Sequence, residues 1–191
     1  CYLTEDGGIQ CHDASNFNIG TSYGKTTFLL SEPSGSTSFF RLGGRHGYSL
    51  TEGDLIFWGE TRFLQRNEEP EVSLIDLESH SNTTCGLQEN GEALCWGIYD
   101  QYRPRFYSQP NVKDGVYRQL SAGYTHFCGL RRDSTVDCWG YNTYGQTTPP
   151  NGRFKQIASG TWFSCTLDFD GEIHCWGNDT YGQISDVPSG N

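Results

Sequence analysis

The chain has 191 residues, including 8 Cys, 24 Gly, 5 Trp and no Met, and its formal net charge is −10 at pH 7. Strong helix formers are scarce, which argues against a helical bundle and against an α/β fold. The acidic balance argues against nucleic-acid binding, which needs clustered Lys and Arg. The longest apolar runs have three or four residues, so we expect no membrane insertion, since a spanning helix needs about 20.

The cysteines fall into four pairs, and the two members of each pair are ten positions apart in the sequence. Because Cys-x-x-Cys does not occur, this spacing predicts four disulfides in an oxidising compartment rather than a zinc site. Eight reduced core cysteines in a cytosolic protein are the alternative. Two Asn-x-Thr sequons also favour a secreted, extracellular or cell-surface glycoprotein, with Asn82 and Asn178 as the predicted attachment sites. The predicted pairs are Cys1–Cys11, Cys85–Cys95, Cys128–Cys138 and Cys165–Cys175.

Internal repeats are the strongest signal. Residues 117–146 and 154–183 align without gaps, and both contain Cys-Trp-Gly followed by Tyr-Gly-Gln. Three weaker copies precede them, of which the second ends in Phe-Trp-Gly without cysteine. We therefore divide the chain into repeats 1 to 5 of a single domain, with the approximate ranges 1–39, 40–71, 72–116, 117–153 and 154–191.

Each repeat contains a predicted β-hairpin. In the third repeat the loop is Glu89-Asn90-Gly91, and Gly91 takes the left-handed position of a type I turn with a G1 bulge. Gly171 fills the same position in the fifth repeat, whereas Ser134 departs from it in the fourth. Counting outward from the turn places the two cysteines in a non-hydrogen-bonded pair, where Cα atoms approach most closely. In the cysteine-free repeat, Tyr48 and Phe57 are predicted to face each other instead.

The two faces of each hairpin are both apolar. A Leu and its cross-strand partner share a face with the cystine, and the motif Trp points to the other face. Such a sheet must be covered on both sides, as stacked propeller blades are. We predict an all-β fold, a β-propeller or propeller segment of about five short four-stranded blades with hairpin disulfides. The leading strands are expected near residues 118–122 and 155–159, and an outer strand after each Trp-Gly.

These motifs resemble a known family. The stretches 121–130 and 137–146 look like repeats of the regulator-of-chromosome-condensation type. The short cysteine-bearing version is similar to the crinkly-type repeats of plant receptor kinase ectodomains, and Gly145-Gln146-Thr147-Thr148 resembles the beta-lactamase inhibitory protein II branch. The resemblance implies a propeller, commonly seven-bladed, that binds proteins through its faces. The nuclear member's exchange activity is not carried over, because none of its exchange residues matches a position here.

The ends of the repeat array predict an open edge strand. The first repeat lacks the leading strand that precedes the later cysteines, and the segment 187–191 corresponds to the residues before a next leading strand. Three interpretations stay open. The chain is part of a longer array, a partner protein donates or pairs with the edge strand, or five blades close imperfectly.

No catalytic, metal or cofactor site is predicted. His126 lies two residues before Cys128 and is expected to be a packed, hydrogen-bonded core histidine. Segment 168–172 resembles a calcium loop only superficially, because it lacks the ligand spacing of an EF-hand and occupies a hairpin turn.

Aromatic residues outside the repeat skeleton are the candidate binding residues, since Tyr, Trp and Arg are enriched at protein interfaces. The segment 98–110 is rich in Tyr and Arg, and the segment 13–39 is a candidate inserted loop with a strand at residues 28–30. Tyr141 also falls at a strand end. The candidates are Tyr99, Tyr102, Arg103, Arg105, Phe106, Tyr107, Tyr124 and Trp162.

The sequence thus predicts a non-catalytic extracellular module that binds protein or acts as a scaffold. A secreted lectin is the first alternative, because aromatic residues stack on sugars. A structural subunit of an extracellular fibre or complex is the second. A hydrolase with Asp or His in a loop at the top of a blade is the third.

Overall fold

The structure, a computed structural model, describes residues 2–3, 9–10, 37–42, 46–51, 54–59, 74–80, 83–97 and 112–188. The chain divides into two compact units, Cys1–Phe63 and Leu64–Asn191. Within the described ranges, no helix is long and apolar enough to span a membrane.

Every regular element of the described residues is a β-strand, as the composition predicts. The first unit contains β1 to β5 and the second unit contains β6 to β14. The strands are β1 (Tyr2–Leu3), β2 (Ile9–Gln10), β3 (Thr37–Leu42), β4 (His46–Thr51), β5 (Asp54–Gly59), β6 (Leu74–His80), β7 (Thr83–Gln88), β8 (Ala93–Gly97), β9 (Tyr117–Ala122), β10 (His126–Arg131), β11 (Val136–Gly140), β12 (Phe154–Ser159), β13 (Phe163–Asp168) and β14 (Ile173–Gly177).

The strands form antiparallel meanders, one for each repeat. Repeats 2 to 5 each give a three-stranded sheet with a leading, a middle and a last strand, and β1 pairs with β2. The predicted leading strands of repeats 4 and 5 are present as β9 and β12. A fourth strand is not formed after β11 or β14, where residues 141–153 and 178–188 make turns and bends. Pro149 and Pro150 explain part of this difference, because proline cannot donate to a strand ladder.

The predicted hairpin registers are confirmed. The N–H of Gln88 donates to the carbonyl of Glu92 at 2.9 Å, which closes the loop predicted in the third repeat. Gly91 and Gly171 have φ of 89° and 95°. Ser134 also adopts a left-handed conformation, with φ of 75°, so the fourth repeat keeps the turn without the glycine.

Three of the four predicted disulfides are present in the structure. Cys85–Cys95, Cys128–Cys138 and Cys165–Cys175 join directly opposed residues, with Cα–Cα distances of 4.0, 4.1 and 4.0 Å. These short distances fit non-hydrogen-bonded pairs, in which opposed Cα atoms lie about 4.5 Å apart, better than hydrogen-bonded pairs, in which they lie about 5.5 Å apart. Cys1 and Cys11 lie outside the described residues.

The core of the second unit lies between consecutive sheets. The cystine and Leu of one repeat pack against the leading strand and the Trp of the next repeat, so both faces of the fourth repeat's sheet are covered as predicted. One cluster joins repeats 3 and 4 and a second joins repeats 4 and 5. Their buried members are Cys85, Leu87, Tyr117, Leu120, Phe127 and Trp139 in the first, and Cys128, Leu130, Cys138, Phe154, Ile157 and Trp176 in the second.

The first unit shows the same hairpin plan. Tyr48 pairs with Phe57 and Thr51 pairs with Asp54, which is the register predicted for the cysteine-free repeat. Its leading strand, β3, begins at Thr37, which is before the predicted start of the second repeat at residue 40.

Candidate protein-binding surfaces

One end of the second unit collects the connections between leading and middle strands. Tyr124 lies in the β9–β10 connection and Trp162 lies in the β12–β13 connection. Main-chain bonds fix the two connections against each other, because the N–H of Tyr124 donates to the carbonyl of Thr161 at 3.0 Å. The N–H of Asn178 in turn donates to the carbonyl of Trp162 at 2.9 Å. The loops that carry these side chains are therefore held by both neighbouring repeats.

Three tyrosines of the fourth repeat surround Trp162 of the fifth. The ring of Trp162 lies 5.2 Å from that of Tyr124, 5.9 Å from that of Tyr141 and 5.8 Å from that of Tyr144, measured between ring centroids. All three contacts are edge-on, with interplanar angles of 63° to 68°, which is a favourable arrangement for aromatic pairs. We call these four residues the aromatic edge. Tyr144 is 48% exposed and the other three are half-buried, so the cluster is accessible to a partner.

The glycine of the Trp-Gly motif lets the chain approach this end of the sheet. Gly177 has φ of 114°, and a Cβ there would lie 2.5 Å from the carbonyl oxygen of Trp162. Gly140 has φ of 102°, and its Cβ would lie 2.7 Å from the carbonyl oxygen of Thr125. A larger residue at either position would push the aromatic connections away, so the motif glycine positions the aromatic edge.

The Tyr-Gly-Gln turn positions Tyr144. Gln146 is fully buried, and its side-chain oxygen accepts the N–H of Tyr144 at 2.8 Å. The indole N–H of Trp176, in the next repeat, donates to the main-chain carbonyl of Gln146 at 2.9 Å. The fifth repeat forms the same turn, but there Tyr181 is 90% exposed. The motif therefore has a structural role, and only its first copy contributes to the aromatic edge.

Charge is distributed unevenly between the two ends of the described sheets. Residues 112–188 contain six Lys and Arg, and all lie at the opposite end, at the starts of β9 and β12 or at the β10–β11 turn. The charged residues that follow β14, at the aromatic end, are Asp179 and Asp186. The main-chain N–H of Ile184, which donates to Asp179 at 2.7 Å, lowers the pKa of that carboxyl below its usual value. The aromatic end thus carries the carboxyl groups of Asp179 and Asp186 and lacks cations within residues 112–188.

The opposite end is organised around a buried tyrosine. The hydroxyl of Tyr117 donates to Asp137 at 3.2 Å, and Asp137 also pairs with the Arg131 guanidinium. Burial, followed by the charge of Asp137, raises the pKa of Tyr117. The equivalent residues of the fifth repeat are Phe154, His174 and Asp168, where the imidazole bonds the carboxylate at 2.8 Å. These groups bond one another and join strands, so they are structural.

One serine–histidine pair invites comparison with a nucleophile and its base. His126 Nε2 lies 2.8 Å from Ser164 Oγ, and Ser164 also contacts Ser159 Oγ at 3.0 Å. His126 and Ser164 are both fully buried between repeats 4 and 5, so no substrate reaches them. The histidine is hydrogen-bonded and packed, as the sequence predicts. Among the residues that the structure describes, no three His, Cys, Asp or Glu are grouped to hold a metal ion.

The outer face of the fifth repeat is a second exposed apolar surface. In the fourth repeat, Leu130 and both cystine halves are at most 2% exposed because the fifth repeat covers them. The corresponding Leu167 and its cystine are half-buried, and Ile173 is 41% exposed. We call Leu167, Ile173 and the Cys165–Cys175 cystine the outer face.

The predicted binding residues divide into two that the structure describes and six that lie outside the described residues. The structure brings two of the candidates, Tyr124 and Trp162, into contact, which the sequence did not predict. The site prediction omitted Tyr141 and Tyr144, although their positions two and five residues after Trp139 place them at the end of β11 that meets the β9–β10 connection. The remaining candidates lie outside the described residues: Tyr99, Tyr102, Arg103, Arg105, Phe106, Tyr107 and the sequon residue Asn82.

The second sequon residue, Asn178, lies just after β14. Its side-chain oxygen accepts the N–H of Thr180 at 2.9 Å and the amide of Gln183 at 3.4 Å. The side chain is half-buried in a turn at the surface. Glycosylation at this position remains a prediction.

Residues 117–146 and 154–183 match the model of the regulator of chromosome condensation (RCC1) repeat. These boundaries coincide with the two repeats aligned from the sequence, so the predicted repeat type is confirmed for them.

Solved structures support the same fold. The CRINKLY WD40 ectodomain of the Arabidopsis thaliana receptor kinase ACR4 has a TM-score of 0.68 at 20% identity, covering 83% of this chain and 55% of that one. The ectodomain of the Physcomitrella patens receptor kinase CR4 has a TM-score of 0.66 at 30% identity, and the match covers 82% of this chain and 46% of that one. Prp20p of Saccharomyces cerevisiae has a TM-score of 0.65 at 21% identity, and the match covers 78% of this chain and 46% of that one. The chain thus spans about half the length of these structures, and its propeller-type repeat fold is confirmed.

Proposed function

We propose that these RCC1-type repeats form a non-catalytic, extracellular module that binds a protein partner through the aromatic edge. The observation that carries the proposal is the contact of Trp162 with three tyrosines on an exposed end of the second unit. Trp and Tyr dominate the binding energy of protein interfaces because they bury large areas at low entropic cost. Hydrogen bonds within and between the two repeats hold the main-chain segments that carry the four rings, so the rings are preorganised for binding.

The extracellular location is supported by the three hairpin disulfides, which persist in oxidising compartments. The two plant relatives are receptor kinase ectodomains. Prp20p, which has the same fold, binds Gsp1p and histones, and this supports protein binding as the function of the repeats.

The proposal is tested by capture of partners with purified wild-type protein and two variants. Trp162→Ala removes the centre of the aromatic edge and Tyr144→Ala removes one ring. Tyr181→Ala is the matched control, because it has the same motif position but is 90% exposed. Each variant is first checked for an unchanged melting temperature.

Wild type and Tyr181→Ala should capture a specific partner equally well. The amount captured by Trp162→Ala should be lower by about tenfold or more. Tyr144→Ala should give a smaller loss, which keeps the test decisive if Trp162→Ala fails to fold. Equal retention by all four proteins would show that the aromatic edge is not the binding surface.

The lectin alternative has less support. Multivalent sugar binding requires equivalent aromatic and polar sets in several repeats, but Tyr144 packs on Trp162 whereas Tyr181 is almost fully exposed. A glycan array with the same variants tests it, and a hit sensitive to Trp162→Ala would favour this alternative.

The outer face supports a scaffold role within the same function. Residues that dock the fifth repeat onto the fourth recur there at equivalent positions, so we infer that this face takes a further sheet of the same type. A photo-cross-linker at position 173 in the native protein should capture a peptide with a Trp-Gly motif. The same group at exposed Thr180 is the control, and capture of unrelated peptides at both positions would contradict the inference.

A further inference from the structure

We propose that the aromatic edge receives arginine side chains from an extended segment of the partner protein. This inference rests on the proposed function and specifies the chemistry of the partner. It is carried by two observations, the arrangement of the four rings and the confinement of the cations of residues 112–188 to the opposite end of the sheets.

The rings provide the first argument. The faces of Trp and Tyr attract cations, and Trp is the strongest such partner among the aromatic side chains. Trp162 is half-buried by its tyrosine neighbours but remains accessible, and Tyr144 is 48% exposed. Tyr144 is therefore the ring of this cluster that a guanidinium can reach most readily.

The charges provide the second argument. Every Lys and Arg within residues 112–188 lies at the opposite end of the sheets, so a cation that approaches the aromatic edge meets no like charge from this part of the chain. Asp179 follows Asn178, whose N–H bonds the carbonyl of Trp162. Asp179 is therefore adjacent in sequence to a residue whose main chain is bonded to that of Trp162. The whole chain also has a net charge of −10, which attracts cationic segments at long range.

Arginine fits this surface better than lysine. Its guanidinium is planar, stacks on aromatic faces and donates a fork of hydrogen bonds to a carboxylate, whereas the lysine ammonium is a compact and strongly hydrated charge. The rings and Asp179 lie at the same end of the sheets, and a guanidinium can both stack on rings and pair with a carboxylate. The three tyrosine rings lie within 5.9 Å of Trp162, and an extended segment can present its arginine side chains to such a cluster.

The experiment measures the affinity of two short peptides by isothermal titration calorimetry. One carries three arginines alternating with glycines, and the other carries citrulline in place of each arginine. Citrulline preserves the planar group and its size but removes the charge. Wild type should bind the arginine peptide about tenfold more tightly than the citrulline peptide, and this preference should fall as salt is raised.

Two variants locate the binding. Trp162→Ala should lose the arginine preference, whereas Tyr181→Ala should change the affinity by less than about twofold. Asp179→Asn keeps an oxygen that can cap residues 184–185 but removes the charge, and should weaken arginine binding about threefold. This variant tests the electrostatic part without removing a ring.

Equal affinity for the two peptides, or no measurable binding of either, would overturn the inference. So would an arginine preference that survives in Trp162→Ala. These outcomes leave the proposed function separately testable, because partner capture by wild type and its loss with Trp162→Ala do not depend on the arginine probe. If capture is lost with Trp162→Ala while both peptides bind equally, protein binding stands and the arginine chemistry is rejected.

Discussion

Repeats 4 and 5 have nearly the same skeleton but different surroundings. Each has three strands, a hairpin cystine, a Trp-Gly motif and a Tyr-Gly-Gln turn. The inner residues of the fourth repeat are covered by the fifth, whereas the outer face of the fifth is exposed. The contribution of a motif residue to the stability of this fold should therefore depend on whether another repeat covers it. The same motif position should contribute differently in repeats 4 and 5.

The comparison also explains where binding surfaces arise. Tyr144 contacts Trp162 because a fifth repeat follows it, whereas the equivalent Tyr181 is left exposed. The aromatic edge is thus a product of two repeats. A pattern that recurs in the sequence does not by itself give a recurring site.

The largest expected difference between the two repeats concerns their core leucines. Leu130→Ala should lower the free energy of unfolding by about 3 kcal/mol, because Leu130 is fully buried against the next repeat. Leu167→Ala should cost about 1 kcal/mol or less, because Leu167 is only half-buried. Urea unfolding with intact disulfides measures both. Equal costs would mean that the outer face is covered in solution.

The next difference concerns two glutamines at equivalent positions. The side chain of Gln119 donates to the carbonyl of Ile157 at 2.9 Å and accepts its N–H at 3.2 Å. Gln119→Ala leaves both main-chain groups without this partner and should cost about 1–2 kcal/mol. Gln156 is exposed on the fifth repeat, and Gln156→Ala should change stability by less than about 0.5 kcal/mol. A cost for Gln156→Ala as large as that for Gln119→Ala would contradict the comparison.

A smaller difference concerns the hairpin turns. Ser134 has φ of 75°, which is unfavourable for a residue with a side chain, whereas Gly171 adopts φ of 95° without that cost. Ser134→Gly should stabilise the protein by about 0.5–1 kcal/mol, and Gly171→Ser should destabilise it by about 1 kcal/mol. Thermal unfolding of both variants tests the pair. A destabilised Ser134→Gly would show that the larger conformational entropy of glycine in the unfolded chain outweighs the backbone cost of the serine.

The smallest effect is expected from pH. The hydrogen bond from His174 lowers the pKa of Asp168, with help from two main-chain N–H groups. A carboxyl with a lowered folded-state pKa stabilises the fold above its unfolded-state pKa, and this contribution is lost as pH falls through the folded-state value. Asp168→Asn should therefore have a slightly lower melting temperature than wild type at pH 6, with the difference disappearing at acidic pH. A difference that persists in acid would show that it does not arise from this carboxylate.

Local patterns predicted most of the fold. The strands, the hairpin registers and the described cystines follow from alternation and turn chemistry within about ten residues, and Gly91 and Cys85 illustrate both. The prediction of an outer strand after each Trp-Gly was wrong for repeats 4 and 5. The Trp-Gly motif gives no indication that the residues after it make turns. The left-handed Ser134 was missed as well, since a serine does not mark that conformation in a sequence.

The candidate site was predicted only in part. Tyr124 and Trp162 were identified as unexplained aromatics, but their contact joins connections from two repeats and depends on main-chain bonds between them. Tyr141 and Tyr144 were omitted for the same reason. Contacts between repeats require the stacking geometry, which the repeat pattern alone does not supply.

Each described disulfide closes a hairpin within its own repeat. Oxidation of one hairpin therefore does not require its neighbours and can be completed once that hairpin has entered an oxidising compartment. Eight cysteines could in principle pair in about 100 ways, and formation of pairs between neighbours in the chain avoids most of them. A repeat that is duplicated or deleted in the gene also takes both of its cysteines with it. An array of this kind can therefore gain or lose whole repeats during evolution without producing an unpaired thiol.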